Sequence, residues 1–522
     1  MGQGHLMGLD LGTSGAKAAV FDAAGQLLGL AQEEYAFQHP QAGWSEIEPA
    51  TVWGHACRAL RKAVASAGVD PAEIVALGLS VIGETVLPVD EDGQPVYPAI
   101  ESMDARDNGY ARYVAWWQER FGAQQIFRRT SYPLNSLPSA NKILWWKEER
   151  PAVFARAAKF VTFQDYAVWQ LTGRPAIDYS MASRTMLFDV RQKRWISEFL
   201  GAMGLEEGRF SPACEAAAPV GRVTANAARA TGLLEGTLVV PGAHDQSCAA
   251  LGVGAVREGV AADGTGSVEA IAIPTRTPIS SPDMLARGQG SQCHVRGDLY
   301  LALGFHLSAG SLVRWMRDQL MTREDGERAR REGRSAYDLL TEAAQESPPG
   351  AKGLLVLPHA AGAGTGRAPA LNPGSRGVIL GLSLSHSKAD LSRAIFEGIT
   401  YEARLIVESL EESGIPISQL VVTGGGARSP FWLQLKADIL CKRIVVPAVT
   451  EASLLGAALL AGVGAGVFPD LEAAMDRCVA GRALYEPDPR LAPAYERMFA
   501  IYRDVYPAVI GLNERLSRVA QG

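Results

Sequence analysis

A chain of 522 residues, 47% hydrophobic and 20% charged, is too long for one ordinary domain and too apolar to stay disordered. With 50 Lys+Arg against 56 Asp+Glu, a formal net charge of −6, it lacks the basic balance of a dedicated nucleic-acid binder. Glycine is the outlier at 55 residues, yet with 29 prolines and no short repeat the excess marks neither collagen nor a linker. The six cysteines, at 57, 214, 248, 293, 441 and 478, form no C-x-x-C pair. That speaks against a zinc ribbon and for free thiols in a reducing compartment. No basic region followed by an apolar core opens the chain, so no signal peptide is expected and the cytoplasm is the expected location.

The opening reads as a strand over His5–Leu11, a turn at Gly12, Thr13, Ser14 and Gly15, a strand over 16–21, a second turn and a third strand over 27–32. Apolar residues recur at helical spacing over Pro49–Ala67, and a short apolar strand follows at 74–79. Helices are expected at 110–121 and 141–149, the second with Trp145 and Trp146 in the core. From Val260 a strand, a turn at Gly264, Thr265, Gly266 and Ser267, and a second strand restate the opening. Asp10 and Asp263 hold matching places almost half the chain apart, which predicts two similar lobes of α/β type. The basic stretch 323–334 reads as a solvated helix or loop. The Gly- and Ala-rich stretch 454–468 is too short to span a membrane and reads as a buried helix, and 491–516 as a long amphipathic helix or helix pair.

Four places carry chemistry. In the first turn, glycines let backbone N–H groups approach a phosphate, hydroxyls add donors, and Asp10 just before it suits a magnesium ion. A plain hairpin turn is the alternative. The second copy at Gly264, Thr265, Gly266 and Ser267 favours the phosphate reading, since two such turns would clamp a triphosphate. Next, an apolar strand ends at Gly242 and is followed by Asp245, at the strand edge where ligands bind in α/β sheets. Asp245 suits a general base toward a hydroxyl; a helix N-cap is its structural alternative. His244 is adjacent, and neighbours tend to point apart, so no dyad is expected. Last, a strand, then Gly424, Gly425, Gly426, Ala427 and Arg428, then a helix over 430–440 make a turn open to close ligand approach. Neither G-x-G-x-x-G nor G-x-x-x-x-G-K-[ST] is present, and G-x-S-x-G and H-E-x-x-H are absent too.

Together these pieces resemble the FGGY carbohydrate kinases of the actin/Hsp70/sugar-kinase superfamily, over residues 8–460. The family's C-terminal pattern is matched by Gly-Val-Ile-Leu-Gly-Leu at 377–382 and Asp-Leu-Ser-Arg-Ala-Ile-Phe-Glu at 390–397, and its N-terminal pattern more loosely by Ser139, Lys142 and Trp145. The resemblance implies two ribonuclease-H-like lobes around a cleft, with residues 1–255 as the sugar-binding lobe and 256–485 as the second. Residues 486–522 form a helical segment of open assignment. It implies ATP and magnesium. Gly12, Thr13 and Ser14 would form the first phosphate loop and Gly264, Thr265, Gly266 and Ser267 the second. Gly424, Gly425, Gly426, Ala427 and Arg428 would form the adenosine loop, with Glu451 and Ser453 entering a helix nearby. Asp245 would be the catalytic base, and Asp10 with Asp245 would hold magnesium. Glu84, Asp104 and Arg106, with Asp245, would hold the sugar. The pocket departs from the family at Gly83, where glycerol kinases carry Arg, and at Ser102, where the family carries Trp. The overall pattern lies nearest the xylulose and fuculose kinases. The substrate is expected to be a ketose such as xylulose, with fuculose, ribulose, erythrulose or a glycerol-like polyol as alternatives. A non-catalytic sugar-binding homologue and an actin-like ATPase are the other classes. A homodimer is a family-based option; no nucleic-acid or membrane partner is expected.

Overall fold

The computed structural model describes residues 4–521. The first lobe is built on a seven-stranded sheet. Its centre is β1 (His5–Leu11), antiparallel to β2 (Gly15–Phe21), which is antiparallel to β3 (Leu27–Glu34). Helix α1 (Pro49–Ala67) starts with Pro at its first position, where a missing N–H costs nothing, and ends at Gly68 with φ 66°. Val52, Ala56, Ala59, Leu60 and Ala63 form its buried stripe. A Cβ at Gly29 of β3 would stand 2.4 Å from Ala67 N, so glycine lets helix and sheet touch backbone to backbone.

Beyond α1 the chain returns through β4 (Ile74–Val81), parallel to β1, and later β5 (Ala243–His244) pairs parallel to β4. Helix α2 (Asp245–Gly252) follows β5 directly. The second lobe repeats the plan. Strand β6 (Gly259–Thr265) is antiparallel to β7 (Glu269–Thr275), which is antiparallel to β8 (Tyr300–His306). After the long helix α3 (Lys388–Glu412), β9 (Ile417–Thr423) runs parallel to β6, as β4 does to β1. The repeat seen in one hairpin therefore extends to the whole sheet. The two-lobed α/β fold is the one expected from the sequence.

Helix α4 (Pro430–Leu440) leads to β10 (Arg443–Pro447) and then to α5 (Ala452–Gly464). Helix α5 is buried along Leu454–Gly462 on every face, which explains its Gly/Ala composition. A Cβ at Gly8 would meet Leu454 O at 2.3 Å, one at Gly78 Ala457 O at 2.1 Å, and one at Gly456 Cys248 O at 1.9 Å. This helix from the second half of the chain thus lies against β1, β4 and α2 of the first lobe. The chain ends in one helix, α6 (Ala492–Gln521), not a pair. It joins the second lobe's core through Tyr495, Phe499, Tyr502 and Tyr506. Trp145 and Trp146 are buried as expected, and 323–334 is an exposed helix over Arg323–Glu332. Among the described residues no helix is long and apolar enough to cross a membrane.

Candidate active site

Strand register brings the first two carboxylates together. Asp10 near the end of β1 pairs with Ser80 of β4, and Ser80 pairs with Ala243 of β5. Asp245, two residues on, opens α2. Both acids therefore stand at the same carboxyl edge of one sheet, where α/β folds bind ligands. Asp10 Oδ1 accepts from Ser80 Oγ at 2.5 Å. Burial raises the Asp10 carboxyl above the ordinary aspartate value, and the Ser80 bond and Lys17 oppose this. Burial first, then the charge of Asp10, push Asp245 up to about 7. Asp245 Oδ1 accepts from Gln246 N at 2.6 Å. Among the described residues nothing bonds to Asp10 Oδ2 or Asp245 Oδ2.

The first turn is closed by Gly12 N donating to Gly15 O at 3.0 Å and anchored by Tyr35 Oη donating to Gly12 O at 2.6 Å. Thr13 and Ser14 are exposed. A Cβ on Gly12 would meet only Gly15 O at 3.7 Å, so the protein itself leaves that position open. The second turn is held by Gly310 N on Gly266 O at 2.9 Å and Ala309 N on Ser267 O at 3.1 Å. Gly266 and Ser267 are exposed, with Arg314 Nη2 donating to Ser267 Oγ at 3.2 Å.

Thr265 corrects the sequence reading. Its hydroxyl turns inward, donating to Asp263 Oδ1 at 3.0 Å and accepting from Lys436 Nζ at 2.7 Å. Only its backbone is left for a phosphate. Asp263 likewise does not repeat Asp10: it is buried and paired with Lys436, which also bonds Glu269 at 2.6 Å. The third turn touches the second, since a Cβ on Gly424 would meet Thr265 O at 2.6 Å and one on Gly426 Thr265 Cγ2 at 2.6 Å. Gly425 has nothing within 4 Å of its Cβ position, and Arg428 is exposed. Ala427 is half-buried, and Glu451 bonds Lys17 Nζ at 3.1 Å just before α5.

Glu84 lies beyond β4 at φ 58°. Its Oε1 accepts from Tyr132 Oη at 2.8 Å and from Arg184 Nη2. Among the described residues nothing bonds to Oε2. Asp104 and Arg106 are a second correction. Both side chains are 0% exposed and bonded to each other, with Arg106 Nε 2.8 Å from Asp104 Oδ1 and Nη2 2.9 Å from Oδ2. Asp104 also accepts from Ser45 N and Tyr110 Oη at 2.6 Å each. Arg106 lies between Trp44 and Trp145, at 4.0 and 4.4 Å, and its Nη1 has no partner. The pair is committed to each other and to Glu46, Ser45 and Tyr110, and offers no exposed group to a sugar.

Sequence reasoning missed Tyr132, Arg184 and Gln292, which reach the site through tertiary packing. Arg184 follows directly on the helical turn Tyr179–Ser183, and no local pattern marks it. The expectation that His244 points away from its neighbour fails: its Nε2 lies 3.1 Å from Asp245 Oδ1. The strand-to-helix corner between β5 and α2 brings the adjacent side chains back together.

Comparison with known proteins agrees with this geometry. Residues 5–252 match the N-terminal domain of the FGGY family of carbohydrate kinases, and residues 260–465 its C-terminal domain. The gluconokinase of Bacillus subtilis is 29% identical, over 98% of this chain and 96% of that one. The glycerol kinase of Thermococcus gammatolerans is 31% identical over 90% of each. The crystal structure of a xylulose kinase from Rhodospirillum rubrum matches with a TM-score of 0.87 at 26% identity, over 98% of this chain and 99% of that one.

Proposed function

The chain belongs to the FGGY family of carbohydrate kinases, and from that premise we propose that it transfers the γ-phosphoryl group of ATP to a hydroxyl of a neutral ketose or polyol, xylulose among them. The observation that carries this reading is the Asp10/Asp245 pair on one sheet edge, with Asp245 pushed up to about 7 and its Oδ2 free of protein donors. A carboxylate so placed accepts a hydroxyl proton near neutral pH as the oxygen attacks. The free Oε2 of Glu84 is a ready acceptor for a second hydroxyl. Arg184 is neutralised by Glu84, which favours a neutral sugar over an aldonate.

The two turns, at Gly12 to Ser14 and Gly264 to Ser267, would cradle the phosphates through backbone donors, and Gly424 to Arg428 the adenosine. Residues 1–255 would then carry the sugar site and 256–485 most of the nucleotide site. Asp10 and Asp245 fit a magnesium ion: each keeps one oxygen free of protein donors, and this ion takes one or two carboxylates plus phosphate oxygens. When bound, magnesium would offset phosphate charge. All six cysteines are free thiols, which supports the cytoplasm as compartment.

A coupled ADP-release screen with ATP and magnesium, over ketopentoses, deoxyketoses, tetruloses, polyols and aldonates, tests the reading. ADP release dependent on a neutral sugar is expected. Silence across the panel would count against a kinase, and turnover of an aldonate alone would overturn the neutral-substrate assignment.

A further inference from the structure

The second and third turns leave neighbouring strands side by side, since Gly264 near the end of β6 pairs with Thr423 at the end of β9 in parallel register. Thr265 stands between them. A Cβ at Gly424 would lie 2.6 Å from Thr265 O, and one at Gly426 would lie 2.6 Å from Thr265 Cγ2 and 2.9 Å from Thr265 Cβ. Gly424 also has φ 81°, a region that favours glycine. Gly264, Gly266 and Gly425 differ. The nearest atom to a Cβ is 3.8 Å away at Gly264 and 3.5 Å away at Gly266, and Gly425 has none within 4 Å. Two of these glycines are thus required by contact with Thr265, while the other three are not crowded by the protein.

The Thr265 side chain is held as well. Its hydroxyl donates to Asp263 Oδ1 at 3.0 Å and accepts from Lys436 Nζ at 2.7 Å. Lys436 Nζ also donates to Asp263 Oδ2 and, at 2.6 Å, to Glu269 Oε1. All three ammonium protons are therefore committed, on a residue that is 1% exposed. Lys436 lies on α4, which starts just past the third turn, where Ser429 Oγ accepts from Trp432 N at 3.2 Å. It thus ties the helix that follows the third turn to β6, the second turn and β7. Hydrogen bonds and close backbone contact converge on Thr265 from both turns.

We infer that Thr265 is a positioning residue for the nucleotide site: anchored by Lys436, it sets the spacing between the second turn, which would hold phosphate, and the third, which would hold adenosine. One ATP molecule has to engage both turns at once. A shift of one turn against the other therefore lowers affinity for the whole nucleotide even when each turn keeps its own donors. The hydroxyl acts through Lys436 and Asp263 and not on phosphate. The role rests on the reading of these turns as the nucleotide site.

The test measures ATP affinity by titration calorimetry on the full-length enzyme, with Tm and KM for the best substrate of the sugar panel on the same samples. Thr265→Val keeps the shape and loses the hydroxyl. It should weaken ATP about tenfold, as for a lost hydrogen bond to a charged group, with KM for sugar within about threefold. Unchanged ATP affinity would overturn the inference. Gly426→Ala should also weaken ATP, because its methyl meets Thr265 Cγ2. Thr265→Ser lacks that carbon and should restore part of the loss in the double variant. Losses that simply add would overturn the inference, as would a lower Tm in Gly426→Ala without weaker ATP binding. Lys436→Met and Thr265→Val break the same bond, so their effects on ATP affinity should not add. Additive losses would show the hydroxyl acting on the nucleotide itself. Where Lys436→Met does not fold, the Gly426 pair decides. Gly425→Val separates the two layers, since a Cβ there meets no protein atom. If it leaves ATP binding unchanged, the assignment of the third turn fails. If it weakens binding while Thr265→Val does not, only the positioning role fails.

Discussion

Asp245 is basic because it is buried and because Asp10 stands near it; burial is the larger effect. On the proposed reading of Asp245 as general base, the charged form must be present for proton transfer, so activity would be lost as pH falls through about 7. A kcat/KM profile should therefore show an acidic limb near neutrality that is missing from any sugar-independent ATP hydrolysis, and a limb near pH 4 would contradict the arrangement. Asp10, Asp245 and Glu84 were legible in the sequence because each sits beside a strand end or turn that has its own pattern. Tyr132, Arg184 and Gln292 were not, since each comes from a distant segment and touches the site through one or two bonds. Asp104 and Arg106 were legible as a pair, but only the structure shows that they are committed to each other and to Glu46.

Elements divide the glycines into two kinds. Those in the turns, Gly12 and Gly425, have room for a Cβ, so the fold itself does not require glycine there; on the proposed reading the bound nucleotide does. Gly462 of α5 has none: a Cβ would stand 2.6 Å from the Phe468 ring and 2.8 Å from Leu6. Gly12→Val and Gly425→Val should weaken ATP binding about tenfold or more by titration calorimetry with little change in Tm, whereas Gly462→Val should cost about 1–3 kcal/mol or more of stability. The reverse ranking would contradict the division. A buried ionic cluster braces the second turn from below. Burial would raise Glu269, but Lys436 and His306 hold it down to about 2. Lys436→Met would leave Asp263 and Glu269 buried without their cation. A loss of about 3–5 kcal/mol by denaturant unfolding is expected, and a change below about 1 kcal/mol would show that the cluster is not needed for stability. None of this cluster is visible from spacing, because Lys436 lies on α4 and its partners on β6 and β7.

At the scale of the whole molecule, the sequence showed a repeated hairpin and the structure shows a repeated sheet, β1 with β4 answered by β6 with β9. The repeat was legible because each copy carries an Asp on an apolar strand followed by a glycine turn. The division into halves was less legible. Helix α5 comes late in the chain yet packs on β1, β4 and α2, and Gln292 of the second sheet bonds His244 beside Asp245. Such crossings leave no periodic trace in the sequence, since they rest on close backbone contact and single side chains. They also place Asp245, the proposed base, beside a residue that bonds the second sheet. The most direct test of the account is sugar-phosphate formation by Asp245→Asn beside wild type, with ATP binding measured on the same samples. The account predicts a loss of about 100- to 10,000-fold in turnover, the usual contribution of a general base, with ATP affinity little changed; near-normal turnover by the variant would contradict it.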